Sequence, residues 1–459
     1  MRVIIPGGSG LIGRELAASL VADGHEVTVL SRRPEQARDR LAAGVSVVGW
    51  DGKSADGWGH LVEGADAIVN LAGMSLDGGS FLPKRWTAAR KQQYIDSRVG
   101  PGRAVVEAIR AAGEKPKALI QASASGYYEQ DTKEPVTEDS PNADSWQAAL
   151  CREWEEVTAE VEAMGVRRAI IRTGMVLSTA GGAFPRLLLP FKLFAGGPMG
   201  SGRQWMPWIH HEDEVGAIRF LIEREDASGP FNLCAPNPVT NTEFARVLGR
   251  VTRRPSFVPV PGFALRLAFG EVAELVLKGW HMLPKRLEEQ GFSFKYVELE
   301  AALREMSTDD GAMKFEHRFR VEAPREAVAE FHRHASVLKA LTPPPIFVQL
   351  DTPPPDPLGE GDSFTFTMWV GPLPFKWGSR FEEVSAEGFS DVQTRGAFAF
   401  WRHRHDFIRI DDQTTEVYDQ VEARLRPHPL LGPIGLAMWL GMPLLFAYRA
   451  RRTRKLLAG

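Results

Sequence analysis

Thiols are scarce in this chain of 459 residues, which carries only Cys151 and Cys234. Two isolated cysteines exclude a disulfide framework and any cysteine-rich metal site, and they fit a reducing compartment. An excess of one charge is also missing. The 55 Lys and Arg residues face 58 Asp and Glu, for a net charge of −3, so there is no general attraction to a polyanion and nucleic acid is not an expected partner. One long uncharged apolar run occurs, from Leu430 to Tyr448, followed by Arg449, Arg451, Arg452, Arg454 and Lys455. Gly432, Pro433, Gly435, Gly441 and Pro443 interrupt it, so a buried helix across a sheet is expected, with peripheral membrane contact through residues 430–455 as the alternative. The opening MRVIIPGG passes from a short strand straight to glycines, with no apolar core of a signal peptide. A cytoplasmic location is therefore expected.

Core-forming material is plentiful, at 44 % apolar and 25 % charged residues. That composition suits soluble globular domains, and the length exceeds what one core usually organises. From Arg2 to about Thr173, β-rich runs (RVIIP, HEVTVLS, VSVVGW, DAIVNLA, KALIQAS, RRAIIRT) alternate with helical stretches. This predicts an α/β fold with a doubly wound parallel sheet. The Gly- and Pro-rich texture of about 181–306 predicts a small cap lobe completing a first domain, 1–306. After the polar break EMSTDDGAM at Glu305 to Met313, residues 313–459 alternate with period two around an early helix and end in a long helix, an α+β domain.

Gly7, Gly10 and Gly13 follow the first strand directly and open the helix LIGRELAASLVADG. Such glycines allow a tight turn, a close approach of backbone to pyrophosphate and close helix packing, while the helix N-terminus offers free N–H groups. At the end of the second strand, where an NAD site places a carboxylate, stand Ser31, Arg32 and Arg33. Guanidinium groups suit a 2′-phosphate, so NADP(H) is expected; the other reading is a solvated arginine loop.

GGSGLIG, AIVNLAG, KRWTAARKQQYIDSRV, SASGYY, REWEEV, IIRTGMVLS, PFKLFAGGPMGSGRQWMPWIHHEDE and LPKRLEEQGFSFKY together resemble the epimerase-family branch of atypical extended short-chain dehydrogenases. The resemblance implies a Rossmann domain with cofactor contacts at Gly7, Gly10, Leu11, Ile12, Gly13, Ser31, Arg32, Arg33, Leu71, Ala72, Ser97, Arg98 and Val176. By pattern and strand order, residues after Met313 resemble START-like, polyketide-cyclase-type domains, whose helix-grip fold implies a hydrophobic small ligand. Phe364, Phe366, Trp369, Phe398, Phe400 and Trp401 would line that cavity or simply fill a core.

Short-chain dehydrogenases place Tyr and Lys four apart on one helix, the cation easing proton release from the phenol. Here the matching positions are Gln147 and Cys151, a departure that removes the usual proton carrier. Ser125 and Tyr127, after the fifth strand, are the nearest catalytic candidates; strand-end capping is their alternative. Arg203, Trp208 and His210 are candidate substrate contacts by ion pairing, stacking and acid–base chemistry. His403 and His405 share a strand face with no further ligand evident, so no metal is expected. The expected function is an NADP(H)-dependent oxidoreductase or epimerase acting on a small molecule, with a fused lipophilic-ligand domain; the alternative is a non-catalytic NADP(H) sensor or scaffold.

Overall fold

The computed structural model describes residues 1–76, 84–306, 312–351, 355–370, 372–426, 428 and 431–457. The chain divides into two compact units, Met1–Thr308 and Asp309–Gly459. Most of the expected polar break, residues 307–311, lies outside the described residues, as does Leu430.

In the first unit the six expected strands form β1 (Arg2–Pro6), β2 (Glu26–Ser31), β3 (Ser46–Gly49), β4 (Ala67–Asn70), β5 (Ala118–Ala124) and β6 (Arg167–Thr173). A seventh strand, Gly229–Leu233, pairs with β6 over its whole length. The sheet runs Gly229–Leu233, β6, β5, β4, β1, β2, β3, with every neighbouring pair parallel. The order reverses between β1 and β4, so a crevice opens at the carboxyl ends of those two strands.

Alternation along β1 divides the interior into two cores. Val3 and Ile5 join Leu16 and Leu20 of helix α1 (Leu11–Ala22), together with Ile218 and Leu221 of helix His211–Glu223. Ile4 points the other way, to Val105 and Ile109 of helix Ala88–Ala111. Both faces of the sheet are thus covered, which explains why its strands read as nearly continuous apolar runs.

The expectation of a cap lobe spanning 181–306 needs correction. Strand Gly229–Leu233 and helix His211–Glu223 fall within that range yet belong to the main sheet and its covering layer. The strand GPFNL carries Gly and Pro at its start, which reads locally as a turn; only its register with β6 makes it a strand.

The second unit starts with strand Met313–Val321 and helices Arg325–Arg333 and Ala335–Ala340, followed by six strands from Ile346 to Leu425. All seven strands make one antiparallel sheet in which the first strand pairs with the last, Thr415–Leu425. Phe364, Phe366, Phe398 and Trp401 are buried in its core, whereas Trp369 is partly exposed. The expected single terminal helix is instead two, Leu431–Leu440 and Met442–Leu457, bent by 51°. Gly441 marks the break, and Pro443 sits in the first turn of the second helix, where its missing N–H costs nothing. Phe446 anchors that helix, its ring 5.1 Å from Phe315 and 5.2 Å from His403. Among the described residues no single helix is long and apolar enough to cross a membrane; only the bent pair taken together reaches that length and composition.

Candidate cofactor cleft and active site

The turn after β1 is shaped by contacts that exclude side chains. Gly7 has φ +78°, and a Cβ on it would stand 2.7 Å from the Ala72 backbone nitrogen. A Cβ on Gly13 would stand 2.5 Å from the Gly8 Cα, so α1 closes onto its own turn only because both positions are bare. Arg14 N donates to the Gly10 carbonyl at 3.0 Å. The N–H groups of Leu11, Ile12 and Gly13, one step earlier, have no helical acceptor and face the turn.

Beside this turn opens a cleft of about 1180 Å³, bordered by Gly7, Gly10, Ser31, Leu71 and Ala72. Four cations share its wall: Arg32, Arg33, Arg40 and Lys53. None of the four is in an ion pair among the described residues. Ser31 accepts a hydrogen bond from Arg33 N at 3.2 Å, which fixes the start of the arginine loop. Asp51, on the same wall, is turned into its own loop by Lys53 N and Ser54 N at 2.7 and 2.9 Å, and these donors hold its carboxyl below the usual range. The result is a cleft with a glycine turn at one side and unneutralised guanidinium and ammonium groups at the other.

Other candidates are placed differently. Ser97 borders the cleft, its hydroxyl accepting from Met74 N at 3.1 Å. Arg98 stands behind the wall. Its guanidinium donates to the Tyr94 carbonyl at 3.2 Å, covers the Trp154 ring at 4.7 Å and is 7 % exposed. Val176 packs against the sheet core, and the Leu11 side chain turns toward Gly181 and Gly182. Leu11 and Ile12 open α1 beside the turn, Arg98 is buried behind the cleft wall, and Val176 is half-buried beside the sheet core.

Expected substrate residues 208 and 210 are also corrected. Trp208 is fully buried and its indole N–H donates to the Asn237 carbonyl at 3.1 Å. His210 is fully buried and caps helix His211–Glu223, its Nδ1 accepting from Glu212 N at 3.3 Å while Nε2 meets Glu305 Oε2 at 2.9 Å. Burial, and then the neighbouring His211, hold its pKa below the ordinary histidine value. Both ring nitrogens are occupied, so neither serves a substrate. Arg203 remains exposed.

At the end of β5, a single turn, Ser125–Tyr127, carries both catalytic candidates. Helix Trp146–Glu156 packs on this turn. A Cβ on Gly126 would stand 3.3 Å from the Gln147 Cβ and 3.7 Å from the Cys151 Sγ. Gln147 and Cys151 therefore do face the strand end, and the departure from a Tyr/Lys pair is real in space. Cys151 is buried, which pushes its thiol up to about 12.

A buried charge network that the sequence reading missed underlies the turn. Arg172, on β6, holds Glu155 through Nε and Nη2, both at 2.9 Å. Ser123 donates to Glu155 at 2.6 Å. Arg172 Nη1 also donates to the Tyr128 hydroxyl at 2.9 Å, and Tyr128 donates to Asn232 at 2.7 Å. The guanidinium lies 3.4 Å from the centroid of the Tyr127 ring. A cation is thereby fixed on the face of the phenol, held in place by its bonds to Glu155.

Residues 3–234 match the model of the NAD dependent epimerase/dehydratase family, and residues 260–306 match a domain of unknown function, DUF1731. The chain belongs to this epimerase family. It is 39 % identical over 310 residues to the epimerase family protein YfhF of Bacillus subtilis, covering 67 % of this chain and 99 % of that one. Human epimerase family protein SDR39U1 (isoform 2), solved with NADPH, superposes with a TM-score of 0.60 at 34 % identity, over 67 % of this chain and 100 % of that one. A nucleoside-diphosphate sugar epimerase from Corynebacterium glutamicum superposes with a TM-score of 0.53 at 32 % identity, over 67 % of this chain and 58 % of that one. The epimerase family thus accounts for the parallel sheet and the glycine turn.

Proposed function

We propose that the first unit is an NADP(H)-dependent oxidoreductase or epimerase acting on a small molecule. The observation that carries this reading is the cleft wall, where Arg32, Arg33, Arg40 and Lys53 stand beside the glycine turn without carboxylate partners among the described residues. NADP(H) fits those residues. The N–H groups at the start of α1 would receive the pyrophosphate, and Arg32 and Arg33 the 2′-phosphate. The human relative's NADPH supports the same choice. When bound, the cofactor supplies hydride transfer. Tyr127 would hold and release the accompanying proton, with Arg172 positioning its ring and Glu155 fixing Arg172. Ser125, on the same turn, is the neighbouring hydroxyl.

A second reading has its own support. Gln147 cannot carry a proton at neutral pH, and buried Cys151 is held protonated. A protein that binds NADP(H) and does no redox chemistry would tolerate both. Rapid-mixing absorbance of NADPH with a panel of carbonyl compounds and nucleotide sugars separates the two. Turnover that Tyr127→Phe abolishes supports the enzyme; tight cofactor binding without turnover supports the sensor. The second unit's element order is what supports reading it as a START-like ligand domain.

A further inference from the structure

The second unit buries a polar cluster among aromatic rings, separate from the cleft and the strand-end turn described above. His403 and His405 stand two apart on strand Phe398–Arg409 and share a face. Sheet register sets Asp391 directly opposite His403, and Asp419 directly opposite His405. His403 Nδ1 lies 3.4 Å from Asp391 Oδ2, and its Nε2 lies 3.2 Å from Asp419 Oδ1. His405 Nδ1, also buried, pairs with the same Asp419 oxygen at 2.8 Å. One donor atom each from Asp391, His403 and His405 falls within 4.8 Å of the other two.

We propose that His403, His405 and Asp391 hold a divalent transition-metal ion of the zinc class, with Asp419 as the carboxylate that orients both imidazoles. Imidazole nitrogen with carboxylate oxygen is a donor set that zinc takes readily, and a carboxylate behind a ligating histidine fixes its ring. The donors come from neighbouring strands of one sheet, so their spacing is set by backbone register. A divalent ion would balance the two carboxylates, while Asp419 keeps its contacts to both rings. Arg449, on the terminal helix, is close enough to feel both aspartates, and its Nε lacks a partner. With the ion in place its charge is surplus, so the position left open by three protein ligands suits an anionic oxygen donor. The competing arrangement is a metal-free imidazolium shared between two carboxylates.

The full-length protein, loaded with Zn(II) or Co(II) and freed of loose ion, tests this by elemental analysis and visible absorption. One ion per chain and the strong d–d bands of low-coordinate cobalt are expected. His403→Asn with His405→Asn should lose both signals, and Asp391→Asn should weaken them if the double variant does not fold. His211→Asn, which alters a separate histidine–carboxylate group, should keep them. Absence of a stoichiometric ion from the folded wild type, or its retention in the double variant, overturns the proposal.

Discussion

The guanidinium of Arg172 lies over the ring of Tyr127 at 3.4 Å while gripping Glu155 with two hydrogen bonds of 2.9 Å. One side chain thus belongs both to the buried framework and to the proposed proton carrier. The two roles separate by mutation. Tyr127→Phe removes only a hydroxyl from a half-buried ring and should change unfolding free energy by less than about 1 kcal/mol, while turnover is lost. Arg172→Met leaves the Glu155 carboxylate buried without its cation and should destabilise by about 3–5 kcal/mol. Urea unfolding of both variants, alongside the NADPH assay, checks the division.

Gly13→Ala tests the packing of the turn. The added Cβ would meet the Gly8 backbone at 2.5 Å, and backbone cannot move aside as a flexible side chain does. A loss of about 1–3 kcal/mol is expected from the overpacking, together with weaker NADPH binding because the N–H groups of α1 are displaced. Gly24→Ala, with open space around it, is the control for packing although its positive φ adds strain of its own.

Glu214 gives a pH dependence with a definite sign. Its side chain is fully buried, accepts from the Thr173 hydroxyl at 2.9 Å and leaves Oε2 without a partner. Burial raises its pKa from 4.5 to about 8. The folded state therefore holds a proton that the unfolded chain releases, and stability falls as pH rises from about 4.5 to about 8. Glu214→Gln keeps an acceptor for Thr173 and removes the titration. Relative to wild type, its unfolding free energy should improve by several kcal/mol, at most about 4, on moving from pH 5 to pH 8. A pH-independent difference between the two proteins would contradict this.

Much of the fold and the cofactor turn was legible because their signals are local. Gly7, Gly10 and Gly13 sit where a β-rich run meets a helical one, and the arginines follow the next strand directly. Partnerships formed across the sheet were not legible. Arg168 and Arg172 alternate with Ala169 and Ile171 in β6, a buried charged face that demanded partners, but Glu155 becomes visible only once the helix is placed. His210 looked free for substrate because Glu305 lies 95 residues away. Similarly, His403 and His405 had no carboxylate neighbours in view until register brought Asp391 and Asp419 opposite them. The terminal helix was expected as one element although Gly441 and Pro443 interrupt the run, because a Gly or Pro can be tolerated within a buried helix; here the chain bends by 51° at Gly441.

The central claim is that the unpaired cations beside the glycine turn select the phosphorylated dinucleotide. Calorimetric titration of the full-length protein with NADPH and NADH, repeated on Arg32→Asp, tests it most directly. NADPH should bind more tightly than NADH, and the substitution should weaken NADPH by about tenfold or more while leaving NADH nearly unchanged, since a charge-assisted phosphate contact contributes about 1.5–3 kcal/mol. Equal losses for the two nucleotides, or no heat with either, would contradict the account.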